Sequence, residues 1–254
     1  MTFRAPKKRF SQNFLRDPKV IQEIINIADI REQDCLIEIG PGYGALTSYI
    51  LKKNSHLTVV EIDQDAVRHL KKIFSGETLQ IMQLDFLDFG LGSFDVAVRL
   101  IGNLPYHISS AILFHVDEHR QYVKDATFML QKEVVDRLIS EPGGKSYGKL
   151  SIMMQLNWNI EKLFDIPPEA FDPTPKVWSS MLHLKPKKNP DFVEPRIFKK
   201  IVFYAFSKRR KTLRNALKGV VLDEEFKLAE IDSGLRPEQL SVNDYVRLTN
   251  IVSA

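Results

Sequence analysis

Short apolar runs of β-forming residues, separated by stretches with helical spacing, confine this chain to a parallel-sheet α/β architecture. The runs are 35–40 (CLIEIG), 57–63 (LTVVEID), 79–85 (LQIMQLD) and 94–104 (FDVAVRLIGNL), with helices expected near Ala45, near Asp65 and after Ile108. Each helix carries the chain back across a sheet face, so successive strands run in parallel. Residues 126–130 add a strand, and 152–160 with 178–184 read as a late antiparallel pair. Upstream, Asp17-Pro18 is a helix start, a capping carboxylate followed by proline at the first helical position. Beyond the proline-bounded segment 186–190 (PKKNP), residues 195–218, 222–231 and 242–252 read as helices, the last opened by the Ser241/Asp244 capping box. The expected organisation is an α/β core over 1–184 and a small all-α domain over 185–254.

Charge divides along the chain more sharply than its net +4 suggests. Residues 1–16 hold five basic side chains and no acid, 17–184 are net −7, 185–218 are net +10 and 219–254 are net −4. An acidic body with two basic blocks is built to meet a polyanion at those blocks. Lys208, Arg209, Lys211, Arg214 and Lys218 would cover most of one helix whose other side is apolar Phe206, Leu213 and Leu217. The Lys7-Lys8-Arg9 cluster is a secondary candidate for the same role. No apolar run approaches the roughly 20 residues of a bilayer span, and no secretory h-region follows the basic N-terminus. The single cysteine, Cys35, cannot form an intrachain disulfide and reads as a buried structural thiol in a reducing compartment. A cytoplasmic protein without a membrane or an obligate protein partner is therefore expected.

The chemistry-bearing residues cluster where the strands end. The loop Glu38-Ile39-Gly40-Pro41-Gly42-Tyr43-Gly44 follows the first run, and its glycines let a ligand approach the backbone. Glu61 ends the second run, where a carboxylate accepts hydrogen bonds from a ribose diol. Asp85 ends the third, in reach of an adenine edge. These three suit an adenosine-bearing cofactor, either S-adenosylmethionine or NAD, and no Tyr-x-x-x-Lys or His–Asp pair supports the NAD reading. At the end of the fourth run stands Asn103-Leu104-Pro105-Tyr106. The lone pair of an exocyclic amine is delocalised into its ring. Acceptors on both amine hydrogens, here the Asn103 oxygen and the next backbone carbonyl, pull the nitrogen toward tetrahedral geometry. The tyrosine offers a face for an extruded base. Such a site needs no nucleophile and no metal, only alignment and electrostatic placement.

In these motifs, with Ser11-Gln12-Asn13-Phe14-Leu15 and the 171–179 segment FDPTPKVWS, the chain resembles the KsgA/RsmA family of small-subunit ribosomal RNA adenine dimethyltransferases. The resemblance implies a Rossmann-like class I methyltransferase core that binds S-adenosylmethionine. Asn13, Leu15, Gly40, Gly42, Glu61, Ile62, Asp85, Phe86 and Asn103 would contact the cofactor. Tyr106 and Phe171 would sandwich the flipped adenine, and Asn103, Leu104 and Pro105 would hold its amine. It further implies dimethylation at N6 of two adjacent adenosines in a hairpin near the 3′ end of 16S ribosomal RNA, with the small subunit as partner and the C-terminal domain docked on RNA. Two residues depart from the pattern. Tyr43 replaces an aliphatic residue, and His107 replaces an asparagine and is read as a helix-start or packing residue. The nearest rivals are an antibiotic-resistance dimethyltransferase of large-subunit RNA and an assembly factor whose docking outweighs its catalysis.

Overall fold

The computed structural model describes residues 13–75, 79–188, 191 and 193–253. The chain forms two compact units: one of residues 1–135 and 161–186, the other of 136–160 and 187–254. The expected boundary at 184/185 thus misses that 136–160 belong with the C-terminal helices.

The first unit is built around a mostly parallel sheet. A two-residue strand β1 (Phe14–Leu15) precedes helix α1 (Pro18–Ile27), whose start is fixed by the Asp17 carboxylate accepting from the Lys19 and Val20 backbone N–H groups. Then follow β2 (Leu36–Ile39), α2 (Thr47–Ile50), β3 (Leu57–Val60), α3 (Gln64–Ile73), β4 (Gln80–Met82), β5 (Val98–Asn103), α4 (Ser109–Glu118), β6 (Val123–Gln131) and α5 (Lys132–Leu138). In the seven-stranded sheet the order is β4, β3, β2, β5, β6, then two later strands, β9 (Ser179–Pro186) and β7 (Trp158–Ile166). Strands β2 to β6 pair in parallel, while β9 runs antiparallel to β6. A second, two-stranded sheet pairs β1 with β8 (Phe171–Asp172), setting Leu15 opposite Phe171.

The strand order reverses between β2 and β5, the first and fourth parallel strands, which lie side by side. That is the topological switch point where open α/β sheets bind ligands. The two strands are held unusually close there: a Cβ on Gly102 would lie 2.5 Å from the Ile39 carbonyl oxygen, so only glycine fits. Cys35 precedes β2 half-buried, and burial pushes its thiol up.

The second unit corrects two expectations. Of the expected strand 152–160, residues 152–157 belong instead to helix α6 (Lys149–Asn157), and β7 begins only at Trp158. Ile152, Met153, Met154 and Leu156 are all buried, together with Ser151 and Asn157. A helix covered around most of its girth lacks the 3.6-residue polar period that would reveal it. It packs on α7 (Pro195–Ser207) and α10 (Val242–Val252), which explains its place in this unit.

The expected helix 195–218 is also broken. It stops at Ser207, turns through 208–212 and resumes as the single-turn α8 (Leu213–Ala216), ahead of α9 (Asp223–Leu228). The N–H groups of Leu213 and Arg214, which a continuous helix would direct to carbonyls one turn back, instead donate to Leu235 and Ser233. Lys208 and Lys211, three residues apart, would in addition repel each other on one helix face. α10 starts with Ser241 and Asp244 in the expected reciprocal cap.

Candidate active site

A cavity of about 270 Å³ opens at the carboxyl ends of β2, β3 and β5. Its walls include Asn13, Leu15, Gly40, Gly42, Glu61, Ile62, Asp85, Phe86 and Asn103, every residue expected to contact the cofactor, as well as Leu104, Pro105 and Tyr106. Phe171 is not on the wall. It is 3% exposed and packed in the apolar core with Leu15, Ile166 and Ala170.

The glycine loop is shaped for close approach. Gly40, Gly42 and Gly44 all have positive φ. A Cβ on Gly42 would come within 3.0 Å of the Phe14 ring, so β1 lies directly against this turn. Tyr43 continues the contact, its ring 5.0 Å from Phe14 and tilted against it, and 5.1 Å from His69 edge to face, an aromatic cluster in place of the expected aliphatic residue.

Glu61 follows β3 and is nearly fully buried. One of its oxygens accepts from the Gly42 N–H at 3.0 Å and the other from the Asp63 N–H at 2.8 Å. Burial pushes its carboxyl up, opposed by those backbone donors. Because a carboxylate accepts about four hydrogen bonds, acceptor positions remain on the cavity side. Asp85 stands three residues beyond β4 rather than at its end, and one oxygen caps the following turn through the Leu87 N–H at 2.9 Å. Glu38, which carried no assigned role in the sequence, also lines the cavity. It accepts from the Thr47 hydroxyl at 2.6 Å, and burial, reinforced by Glu61, raises its carboxyl to about 8. Only its place at the head of the glycine motif could have marked it.

Asn103 ends β5. Its side-chain nitrogen donates to the Asn13 carbonyl at 3.0 Å, which fixes the amide's orientation and leaves its oxygen as an acceptor. Leu104 extends the ladder by donating to the Met129 carbonyl at 3.1 Å, pinning the turn that Pro105 completes. Tyr106 is half-buried, with its hydroxyl 2.7 Å from that of buried Ser179, and burial pushes the phenol up. His107 stands exposed on the cavity wall, in the turn before α4.

A model of the family described as ribosomal RNA adenine dimethylase matches residues 4–254. The chain belongs to that family. Two relatives named ribosomal RNA small subunit methyltransferase A make the likeness concrete. The Nitrosospira multiformis protein is 43% identical over 248 residues, 97% of this chain and 96% of that one. The Pseudomonas aeruginosa protein is 45% identical over 250 residues, 96% and 93% of the two chains. Among solved structures, the dimethylase fold is shared with a dimethyladenosine transferase from Plasmodium falciparum (TM-score 0.78, 26% identity, 92% of this chain and 95% of that one). It is shared too with the 23S rRNA methyltransferase ErmE (TM-score 0.73, 23% identity, 95% and 100%), a likeness of fold alone.

In the second unit the cations expected on one dimethylase helix lie on the 208–211 turn and around α8, all exposed. Arg209 donates to the Lys145 carbonyl at 3.0 Å and lies 3.6 Å from Glu238; Arg214 pairs with Asp223 at 3.0 Å. Exposed pairs like these are worth at most about 1 kcal/mol and leave both guanidinium groups open to stronger anions. Lys7, Lys8, Arg9, Ser11 and Gln12 lie outside the described residues. No helix among the described residues is long and apolar enough to cross a membrane.

Proposed function

We propose that this protein transfers methyl groups from S-adenosylmethionine to N6 of two adjacent adenosines in a hairpin near the 3′ end of small-subunit (16S) ribosomal RNA, giving N6,N6-dimethyladenosine during subunit biogenesis in the cytoplasm. The observation that carries this reading is the Asn103 amide, oriented by the Asn13 carbonyl on the wall that also holds Tyr106, Glu61 and Asp85. The near-full-length likeness to proteins named for the small subunit supports the choice of RNA.

Glu61 takes the ribose hydroxyls on its unused acceptor positions and Asp85 the adenine amine. Gly40 and Gly42 let the methionine portion lie against the backbone. The cofactor, when bound, supplies an electrophilic methyl on a sulfonium leaving group. For the first transfer Asn103 Oδ1 and the Leu104 carbonyl accept the two N6 hydrogens of the target base, turning the nitrogen lone pair out of the ring plane. Each methylated nitrogen then releases a proton to solvent, and in the second transfer the one remaining N–H keeps one of these acceptors. Tyr106, anchored by Ser179, gives the base a stacking face, a placement that converts binding into alignment. Phe171 serves from beneath, as the core residue that seats β8 against β1. The second unit holds the RNA through Lys208, Arg209, Lys211, Arg214 and Lys218, whose phosphate contacts give affinity rather than base choice.

Incubating unmethylated small subunits with enzyme and labelled cofactor, followed by mass spectrometry of the RNA, tests the proposal. Two labelled methyls on each of two adjacent adenosines are expected. No label on those adenosines, or label elsewhere in the RNA alone, would overturn it.

A further inference from the structure

Helix α7 buries Phe198, Ile201, Val202 and Ala205. Its solvent side carries Arg196, Lys199, Lys200, Phe203, Tyr204 and Ser207, which recur every three to four residues and so share one face. Phe203 is 56% and Tyr204 43% exposed, although both are large enough to serve as core residues. Their rings meet edge to face, centroids 5.9 Å apart at 87°, and the Lys149 ammonium lies 5.3 Å from the Phe203 centroid. No acidic residue occurs within α7 itself.

An exposed aromatic pair edged by cations, on a helix whose only adjoining carboxylate in sequence, Glu194, is engaged as its cap, has the composition of a single-strand nucleic-acid platform. A protein partner would find two rings in a ring of like charge; RNA finds a stacking surface beside phosphate ligands. We infer that this face of α7 is a binding site for unpaired RNA: a base stacks on Tyr204 or on the open face of Phe203, and Arg196, Lys200 and Lys149 meet the flanking phosphates. The inference rests on the reading of the second unit as the RNA-docking part, and it adds a contact of a different kind from the 208–218 cations. Those supply charge, whereas Phe203 and Tyr204 supply a term nearly independent of salt.

The test measures binding of the full chain to single-stranded oligoadenylate across a salt series. Compared are the wild type, Phe203→Ala/Tyr204→Ala, Phe203→Trp/Tyr204→Trp, and Lys208→Gln/Arg209→Gln/Lys211→Gln/Arg214→Gln. Circular dichroism and S-adenosylmethionine affinity report folding of each. The alanine pair is expected to bind roughly 5- to 150-fold more weakly per stacked base, with the log–log salt slope unchanged, and the tryptophan pair to retain affinity. The quadruple variant is expected to lose slope by about 0.7 for each single-strand phosphate contact removed. Wild-type affinity in the alanine pair, equal loss in the tryptophan pair, or no oligoadenylate binding by the wild type overturns the platform. If the alanine pair is unaffected while the quadruple variant is weakened, the docking reading survives and only the platform falls. The reverse pattern removes the 208–214 cations from docking and leaves the platform standing.

Discussion

The two ends of β5 solve opposite problems only four residues apart. At the amino end Arg99 is almost fully engaged, four of its five N–H groups donating: Nε reaches both oxygens of Asp125 at 2.9 and 3.2 Å, Nη1 reaches Asp34 at 2.7 Å and the Asp29 carbonyl at 3.0 Å, and Nη2 reaches the Ala28 carbonyl at 2.7 Å. At the carboxyl end Asn103 is held by its nitrogen alone. Glu61 and Asp85 likewise have some acceptor capacity engaged by backbone and some left over. Polar groups that satisfy one another lock a fold, whereas polar groups oriented but half-used are available to a ligand. In this sheet the amino end is the lock and the carboxyl end the site.

That contrast can be broken first at the lock. Arg99→Met should destabilise the protein by about 3–5 kcal/mol, the usual result of stripping a buried ion pair of one member. The low end is expected, because Lys124 still reaches Asp34 at 3.2 Å. Urea unfolding measures this; a variant as stable as wild type would deny the amino end its structural role. Asn103→Ala should do the reverse, keeping stability and RNA binding while losing a factor of roughly 10²–10³ in turnover, or ~2.7–4 kcal/mol of transition-state stabilisation. Single-turnover methylation at the wild-type rate would remove Asn103 from the chemistry.

The third effect, the smallest per pH unit, concerns Glu38. Its carboxyl titrates at about 8 in the fold, against 4.5 for the ordinary group. Between those values the folded chain holds a proton that the unfolded chain has released. Stability from this group is therefore fully present below about pH 4.5 and is lost as pH rises through 8, with a slope of at most about 1.4 kcal/mol per pH unit. Glu38→Gln keeps an acceptor for Thr47 and should flatten that decline, which unfolding measured from pH 5 to 8.5 would show. An unchanged slope would mean that Glu38 is ionised in the fold.

The carboxyl end was legible in the sequence because its residues follow β-type runs at fixed offsets, so that glycines, acids and Asn103 fall into register once strands are drawn. The amino end was not legible: Arg99 and Asp34 are 65 residues apart, and nothing local marks either as a hub. Residues 152–157 misled because a helix buried nearly all round and a buried strand present the same apolar run. The 208–212 break was hidden by lysines and arginines, which are good helix formers; what ends the helix is loop 233–235 capturing the backbone. Phe171 was visible as part of a motif, but its burial depends on β1, a strand of two residues.

Gly102 gives the active site its manufacturing tolerance. The residue touches no ligand, yet it sets the gauge between β2 and β5, one position before Asn103 and facing the Ile39 carbonyl that leads into Gly40. Any side chain there wedges the two strands apart, and the wedge opens directly beneath the glycine loop and the Asn103 turn. Since a misplacement of about 1 Å can cost about a hundredfold in rate, a single hydrogen in place of a methyl keeps the two halves of the site within machining distance of each other.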